Sequence, residues 1–397
     1  MLEAVEWRQK NRHPDPPRPE PPPVATVGSA APDVRAPSRT WAEIDLGAVR
    51  HNVRSLRRRV RRARLMAVVK ADAYGHGAVP VALAALEAGA DALAVVTVEE
   101  GAELRRAGIT APILVFTDLL PEKLPLAEEY RLVVTAHSVA SARRVAARPG
   151  LGVHLKVNTG MNRWGVEPSE VGEARKILGS QLSGVYTHFA SADCDEEATR
   201  RQIETFEAVL AAHPFSGALV HAANSAATLW YPGAHYDCVR PGVALYGLHP
   251  AGDRGDPTEE DLRPVMVLKS YVAGVRRLEP GDGVSYGLTF TAEAPMTLAT
   301  VPVGYAEGYR RRLSGKAEAL IRGERRPLLG RVTMDACVFG VDRFVEVGDE
   351  VVLIGEQGGG RVTAEELGSW AGTINYEVTT GVNPRRVERS YEDVRGS

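Results

Sequence analysis

Leu65-Met66-Ala67-Val68-Val69-Lys70 is a short apolar run, rich in β-branched residues, that ends on a lysine. An alanine- and leucine-rich stretch follows it, and then a second run of the same kind at 92–97. The alternation continues through runs at 112–117, 132–135, 153–157, 184–188, 218–222 and 238–243. Most of these lie about 20–30 residues apart, the length of one strand-plus-helix unit. Strands buried on both faces read as continuous apolar runs, as these do. Eight such units over about 200 residues predict an α/β fold with an N-terminal (β/α)8 TIM barrel. A doubly wound open sheet is the alternative, but no G-x-G-x-x-G follows the first strand.

Outward from the barrel the pattern changes on both sides. Thr40-Trp41-Ala42-Glu43-Ile44 reads as a short strand, and Val49, Val53, Leu56 and Val60 then recur at helical spacing with arginines between them. The basic run from 50 to 64 reads as a solvated helix face rather than a nucleic-acid site. Residues 1–38 hold nine of the 26 prolines and lack the apolar core of a signal peptide. They are expected to form a disordered extension with polyproline character, a docking arm being the alternative. Beyond 262, helical periodicity fades. Strand-like segments appear at 265–275, 296–303, 319–321, 336–341 and 351–354, separated by turns such as Glu279-Pro280-Gly281-Asp282-Gly283. The expected organisation is therefore an extension (1–38), a barrel (39–262) and a C-terminal, mainly β domain (263–397).

Composition narrows the functions. With 48 Lys and Arg against 50 Asp and Glu, the formal net charge is -2, which gives no electrostatic case for nucleic acid or an anionic membrane. No apolar run reaches the roughly 18–20 residues that span a bilayer. Cys194, Cys238 and Cys337 lie far apart without C-x-x-C spacing. That argues against a disulfide framework and a metal site, and for a reducing, cytoplasmic setting.

In a barrel the chemistry sits at the C-terminal ends of the strands. Lys70 ends the first. A lysine at the end of an apolar strand is desolvated, which favours the neutral amine that forms a Schiff base with an aldehyde cofactor. Snorkelling to the rim is the alternative. Lys156 lies on the fifth strand, which leads to Arg163. His188 ends the sixth and, taken alone, is more often a hydrogen-bonded core histidine than a catalyst. Asn224-Ser225 follow the seventh strand, and Arg240-Pro241-Gly242 end the eighth. Ser225 and Gly242 occupy the usual phosphate site of such barrels, or are simply turn residues. Arg240 can serve a structural ion pair or donate to a cofactor ring nitrogen.

These residues resemble one family closely. The run 67–77, Ala-Val-Val-Lys-Ala-Asp-Ala-Tyr-Gly-His-Gly, looks like the lysine motif of the alanine racemases, which use pyridoxal 5'-phosphate (PLP). The likeness continues in order through segments 156–163, 187–190, 224–225, 240–247, 284–287, 304–309, 330–335 and 373–377. The resemblance implies a barrel followed by a β domain, in homodimers whose active sites are completed by the partner's C-terminal domain. It implies that Lys70 holds PLP as a Schiff base and acts as one base, on the D face of the substrate. Tyr286 from the second subunit is then the other base, on the L face. Arg240 would donate to the pyridine nitrogen. Tyr74, Ser225, Gly242, Val243 and Tyr376, beside Asn224, would hold the phosphate. Arg163 and the Met334 N–H would meet the substrate carboxylate. His188 would support Arg240 and Tyr286, and Lys156 matches a lysine often carbamylated to orient the arginine at 163. The product would be D-alanine for peptidoglycan. Three positions depart from the common pattern: Asn158 for aspartate, Thr333 for cysteine and Ala336 for glutamine. Rival readings are a racemase of broader specificity, a barrel-type PLP decarboxylase and a PLP carrier. Cys337 lies outside the context a decarboxylase cysteine needs, and a carrier needs no second base.

Overall fold

The computed structural model describes residues 39–60 and 62–393, so the proline-rich extension lies outside the described residues. Strand β1 (Thr40–Asp45) leads into helix α1 (Leu46–Val60), whose buried stripe comprises Ala48, Val49, Asn52, Val53, Ser55, Leu56 and Val60. Four of its five arginines meet carboxylates: Arg50 pairs with Glu87 and Asp393, Arg57 with Asp91, Arg58 with Asp261 and Arg59 with Glu260. The basic face of this helix is thus largely ion-paired.

Eight parallel strands follow: β2 (Arg64–Val68), β3 (Ala92–Val95), β4 (Ile113–Val115), β5 (Val134–Ala136), β6 (Val153–Lys156), β7 (Leu182–Tyr186), β8 (Leu219–His221) and β9 (Cys238–Val239). Their order around the sheet is β4-β3-β2-β9-β8-β7-β6-β5, and a parallel bridge between Leu114 and Val133 closes the ring. The inner strands are buried on both faces because the barrel interior covers one side and the helices the other. This is the (β/α)8 barrel. Most strands are shorter than their apolar runs, as in β2, β3, β4 and β9, because the last residues of the run leave the ladder to form the rim where side chains become available for chemistry.

The second sheet has ten antiparallel-rich strands and takes up most of the chain after 265. It also takes in β1, which pairs antiparallel with β10 (Met266–Tyr271) and parallel with the last strand, Glu388–Glu392. Both β1 and β10 bury alternate residues, the signature of a sheet with one face on the core. The strand at 40–45 therefore belongs to the second sheet, although it precedes the barrel in the chain. Asn52 of α1 ties the two parts together: its amide donates to the carbonyls of Leu245 (3.0 Å) and Arg263 (2.8 Å) and accepts from the Arg263 N–H (2.7 Å). Among the described residues, no helix is long and apolar enough to cross a membrane.

Candidate active site

At the C-terminal ends of the barrel strands, a cavity of about 750 Å³ lies between the rim and the short helix Asn375–Thr380 of the second domain. Its size and place are those of a small-molecule site in this fold.

Lys70 enters the cavity two residues beyond the end of β2. Burial and the nearby Arg163 hold its amine below the usual lysine range, while Glu100 opposes them. The backbone after it is unusual. Ala71, Asp72, Ala73 and Tyr74 have φ of 52°, 53°, 52° and 54°, a left-handed turn built without glycine. Each such residue costs roughly 1–2 kcal/mol. The turn ends at Gly75, where a Cβ would stand 2.2 Å from the Thr379 carbonyl oxygen, so only glycine fits.

Arg240 is the buried cation of the site. Its guanidinium donates to the carbonyls of Thr187 and Ala222 (both 2.8 Å), to His221 Nδ1 (2.7 Å) and, at 3.3 Å, to His188 Nδ1. Burial lowers its pKa to about 10, still well above neutrality. Arginine can only donate, so His221 accepts at Nδ1 and carries its proton on Nε2, which points at His154 Nδ1, 2.9 Å away. The Tyr186 ring stacks on His221 at 4.7 Å. Burial first, and Arg240 second, push both His188 and His221 well below the ordinary histidine range. His188 is therefore neutral and an acceptor toward Arg240.

Beyond β8 and β9, the Ser225 hydroxyl accepts from the N–H groups of Gly242 (2.8 Å) and Ala244 (3.2 Å). Asn224 caps the helix that Ser225 begins, accepting from the Ala227 N–H. A Cβ on Gly242 would lie 2.5 Å from the Tyr74 hydroxyl, so the missing side chain is what leaves a cradle there. Tyr376 faces Tyr74 with ring centroids 6.2 Å apart, and burial raises both phenols so that they stay protonated donors. Val243 completes this wall.

Lys156, at the end of β6, is surrounded by cations. Burial, then Arg163, Arg240 and Lys70, lower it to about 7. Asn158 does not compensate: its side chain organises the following loop, donating to Asn162 Oδ1 and Glu167 Oε1 (both 2.9 Å) and accepting from the N–H groups of Gly160 and Asn162.

Eleven predicted residues thus line one cavity, while Tyr286 and Met334 do not. These two sit on the second domain, 73% and 53% exposed, on a surface that also bares Leu288 and Tyr305. Sequence reasoning missed several lining groups: Phe116, Tyr186, Trp164 and Arg310. Of these, Phe116 and Tyr186 had a local signal, since they lie in the strand-like runs 112–117 and 184–188 near the rim.

Two family models match the chain: "Alanine racemase, N-terminal domain" over residues 44–250 and "Alanine racemase, C-terminal domain" over 265–391. An alanine racemase of Symbiobacterium thermophilum is 49% identical over 89% of this chain and 97% of its own length. Alanine racemase 1 of Bacillus subtilis is 41% identical over 87% of this chain and 91% of its own. Among solved structures, the alanine racemase of D-cycloserine-producing Streptomyces lavendulae aligns with a TM-score of 0.84 at 40% identity, covering 90% of this chain and 97% of that one.

Proposed function

The chain belongs to the alanine racemase family of isomerases and interconverts L- and D-alanine; on that premise we propose how its residues divide the work. The cofactor is pyridoxal phosphate, which fits what the cavity offers: a desolvated lysine amine, a hydroxyl-lined cradle that a Cβ at Gly242 would fill, and a buried guanidinium between them. When bound, it draws electrons from the substrate Cα and so acidifies the Cα–H bond.

Lys70 bonds the cofactor and moves the proton at Cα on the D face. Tyr286 of the partner subunit moves it on the L face, so the chain acts as a homodimer with shared sites. The exposure of Tyr286 and Met334 supports this, since neither reaches the cavity of its own chain. Tyr74, Ser225, Gly242, Val243 and Tyr376 hold the phosphate, with Asn224 fixing the turn beneath it. Arg163 and the Met334 N–H of the partner subunit receive the substrate carboxylate. Arg240 would donate an N–H to the ring nitrogen while keeping its own proton, which would leave the ring a weaker electron sink and limit side reactions. Neutral His188 steadies Arg240. The Lys156 amine, neutral above about pH 7, would add to carbon dioxide and release one N–H proton to solvent, giving a carbamate anion that would offset Arg163. The D-alanine is made in the cytoplasm for peptidoglycan.

The observation that carries this reading is the convergence of Lys70, Arg240 and the Ser225–Gly242 cradle on one cavity. Chiral chromatography of the PLP-loaded protein, incubated separately with L-alanine, L-serine, L-lysine and L-arginine, tests it. D-alanine is expected to form fastest. Dominance of another D-amino acid would reassign the substrate, amine product would mean decarboxylation, and PLP binding without turnover would mean a carrier.

A further inference from the structure

The four left-handed residues after Lys70 are Ala-Asp-Ala-Tyr, a sequence with no local preference for that conformation. Local hydrogen bonds close the turn, from the Ala73 N–H to the Val69 carbonyl (3.0 Å) and from the Gly75 N–H to the Ala71 and Asp72 carbonyls (both 3.1 Å), and side chains then brace it. Two carboxylates supply the contacts. Glu100 belongs to the next strand–helix unit, where it closes the capping box of helix Val98–Arg106 through one oxygen, Oε2, accepting from the Val96 and Thr97 N–H groups (2.7 and 3.0 Å). Its other oxygen crosses to the Ala71 N–H at 2.7 Å. Asp72 accepts from the Ala78 N–H with Oδ1 (2.8 Å) and from Arg389 Nη1 with Oδ2 (2.6 Å).

Arg389 lies on the last strand, Glu388–Glu392, and its side chain is only 10% exposed. Its Nε and Nη2 are buried without hydrogen-bond partners. A guanidinium buried for a single contact is a poor way to stabilise a fold. Its one contact is with the turn that aims Lys70.

We propose that Arg389, through Asp72, and Glu100, through the Ala71 amide, are positioning residues that hold the left-handed turn and so direct the Lys70 amine at the substrate Cα. The proposal rests on the reading of Lys70 as a proton-transferring group. It makes the C-terminal strand part of the active-site scaffold.

The test uses the full chain with Arg389→Met, Arg389→Lys and Glu100→Gln. In the cofactor-free protein, amide hydrogen exchange across residues 70–78 is expected to quicken about tenfold or more in Arg389→Met, with the barrel strands unchanged. In the PLP-loaded enzyme, alanine deuterated at Cα separates the two faces. A misplaced Lys70 makes its own transfer more rate-limiting, so the isotope effect rises with D-alanine and falls with L-alanine. Arg389→Lys restores both toward wild type. Glu100→Gln reproduces the pattern and keeps the test open if Arg389→Met does not fold. Unchanged exchange at 70–78 overturns the proposal, as does a lower kcat with both isotope effects unmoved. Absence of racemisation in the wild type would sink the functional reading instead, and the exchange data alone would then decide whether the clamp exists.

Discussion

Acid should unfold this protein well above the pH at which its carboxylates titrate, because the barrel buries neutral histidines. His76, His137, His154 and His221 are each at most 5% exposed. Burial is the first cause in every case, lowering His76 and His137 to about 4, His154 to about 3 and His221 well below its ordinary value. In the unfolded chain each returns to about 6.5. Below that pH the unfolded state takes up protons that the folded state refuses, so stability is lost as pH falls from about 6.5 toward 4. At pH 5 His76, His137 and His154 each cost about 2 kcal/mol, the product of about 1.5 pH units and 1.36 kcal/mol per unit. The three together cost about 6 kcal/mol, comparable to the whole stability of a typical domain, and His221 acts in the same direction. Urea unfolding of the cofactor-free protein at pH 7.5, 6 and 5, at one fixed protein concentration, measures this directly. A loss below about 2 kcal/mol between pH 7.5 and 5 would refute the reasoning, since a single buried neutral histidine already supplies that much.

Three further outcomes follow from the site. Gly242→Ala puts a methyl 2.5 Å from the Tyr74 hydroxyl and should weaken PLP binding about 10–100-fold in an absorbance titration; unchanged affinity would place the phosphate elsewhere. Arg240→Glu should raise the ratio of transamination to racemisation, followed by product analysis, and an unchanged ratio would remove the argument for a guanidinium at the ring nitrogen. Because Lys156 sits at about 7, activity at pH 6 in carbon dioxide-free buffer should fall several-fold and return with bicarbonate, a response that Lys156→Ala abolishes; a wild type indifferent to bicarbonate would exclude the carbamate.

The barrel was legible because its strands are short, apolar and buried on both faces, so that Ala92–Val95 or Val153–Lys156 needs no knowledge of its neighbours to be recognised. Their ends were less so, since Val69 and Lys70 continue the apolar run but leave the ladder. The partner of β1 was not legible: pairing with Met266–Tyr271 is a contact across more than 200 residues, and no local pattern records it. The last strand, Glu-Arg-Ser-Tyr-Glu, is mostly exposed and shows no apolar alternation. Within the site, the groups that come to the rim on strand ends could be read off, whereas His154 and His221 look like ordinary interior residues until Arg240 is seen to donate to one of them. The left-handed turn was not legible from residue type, since Ala71 and Ala73 have no preference for it, and two of its contacts, Glu100 to the Ala71 N–H and Arg389 to Asp72, come from distant segments.

The central claim is that each site takes Lys70 from one protomer and Tyr286 from the other. Lys70→Ala and Tyr286→Phe variants, each inactive alone, can be unfolded together, mixed in equal amounts and refolded with PLP. Half the dimers are then hybrids, and each hybrid has one site with both bases intact and one with neither. Racemisation of alanine should return to about one quarter of the wild-type rate. If the mixture stays as inactive as its components while hybrid dimers are present, the two bases do not come from different protomers and the account is wrong.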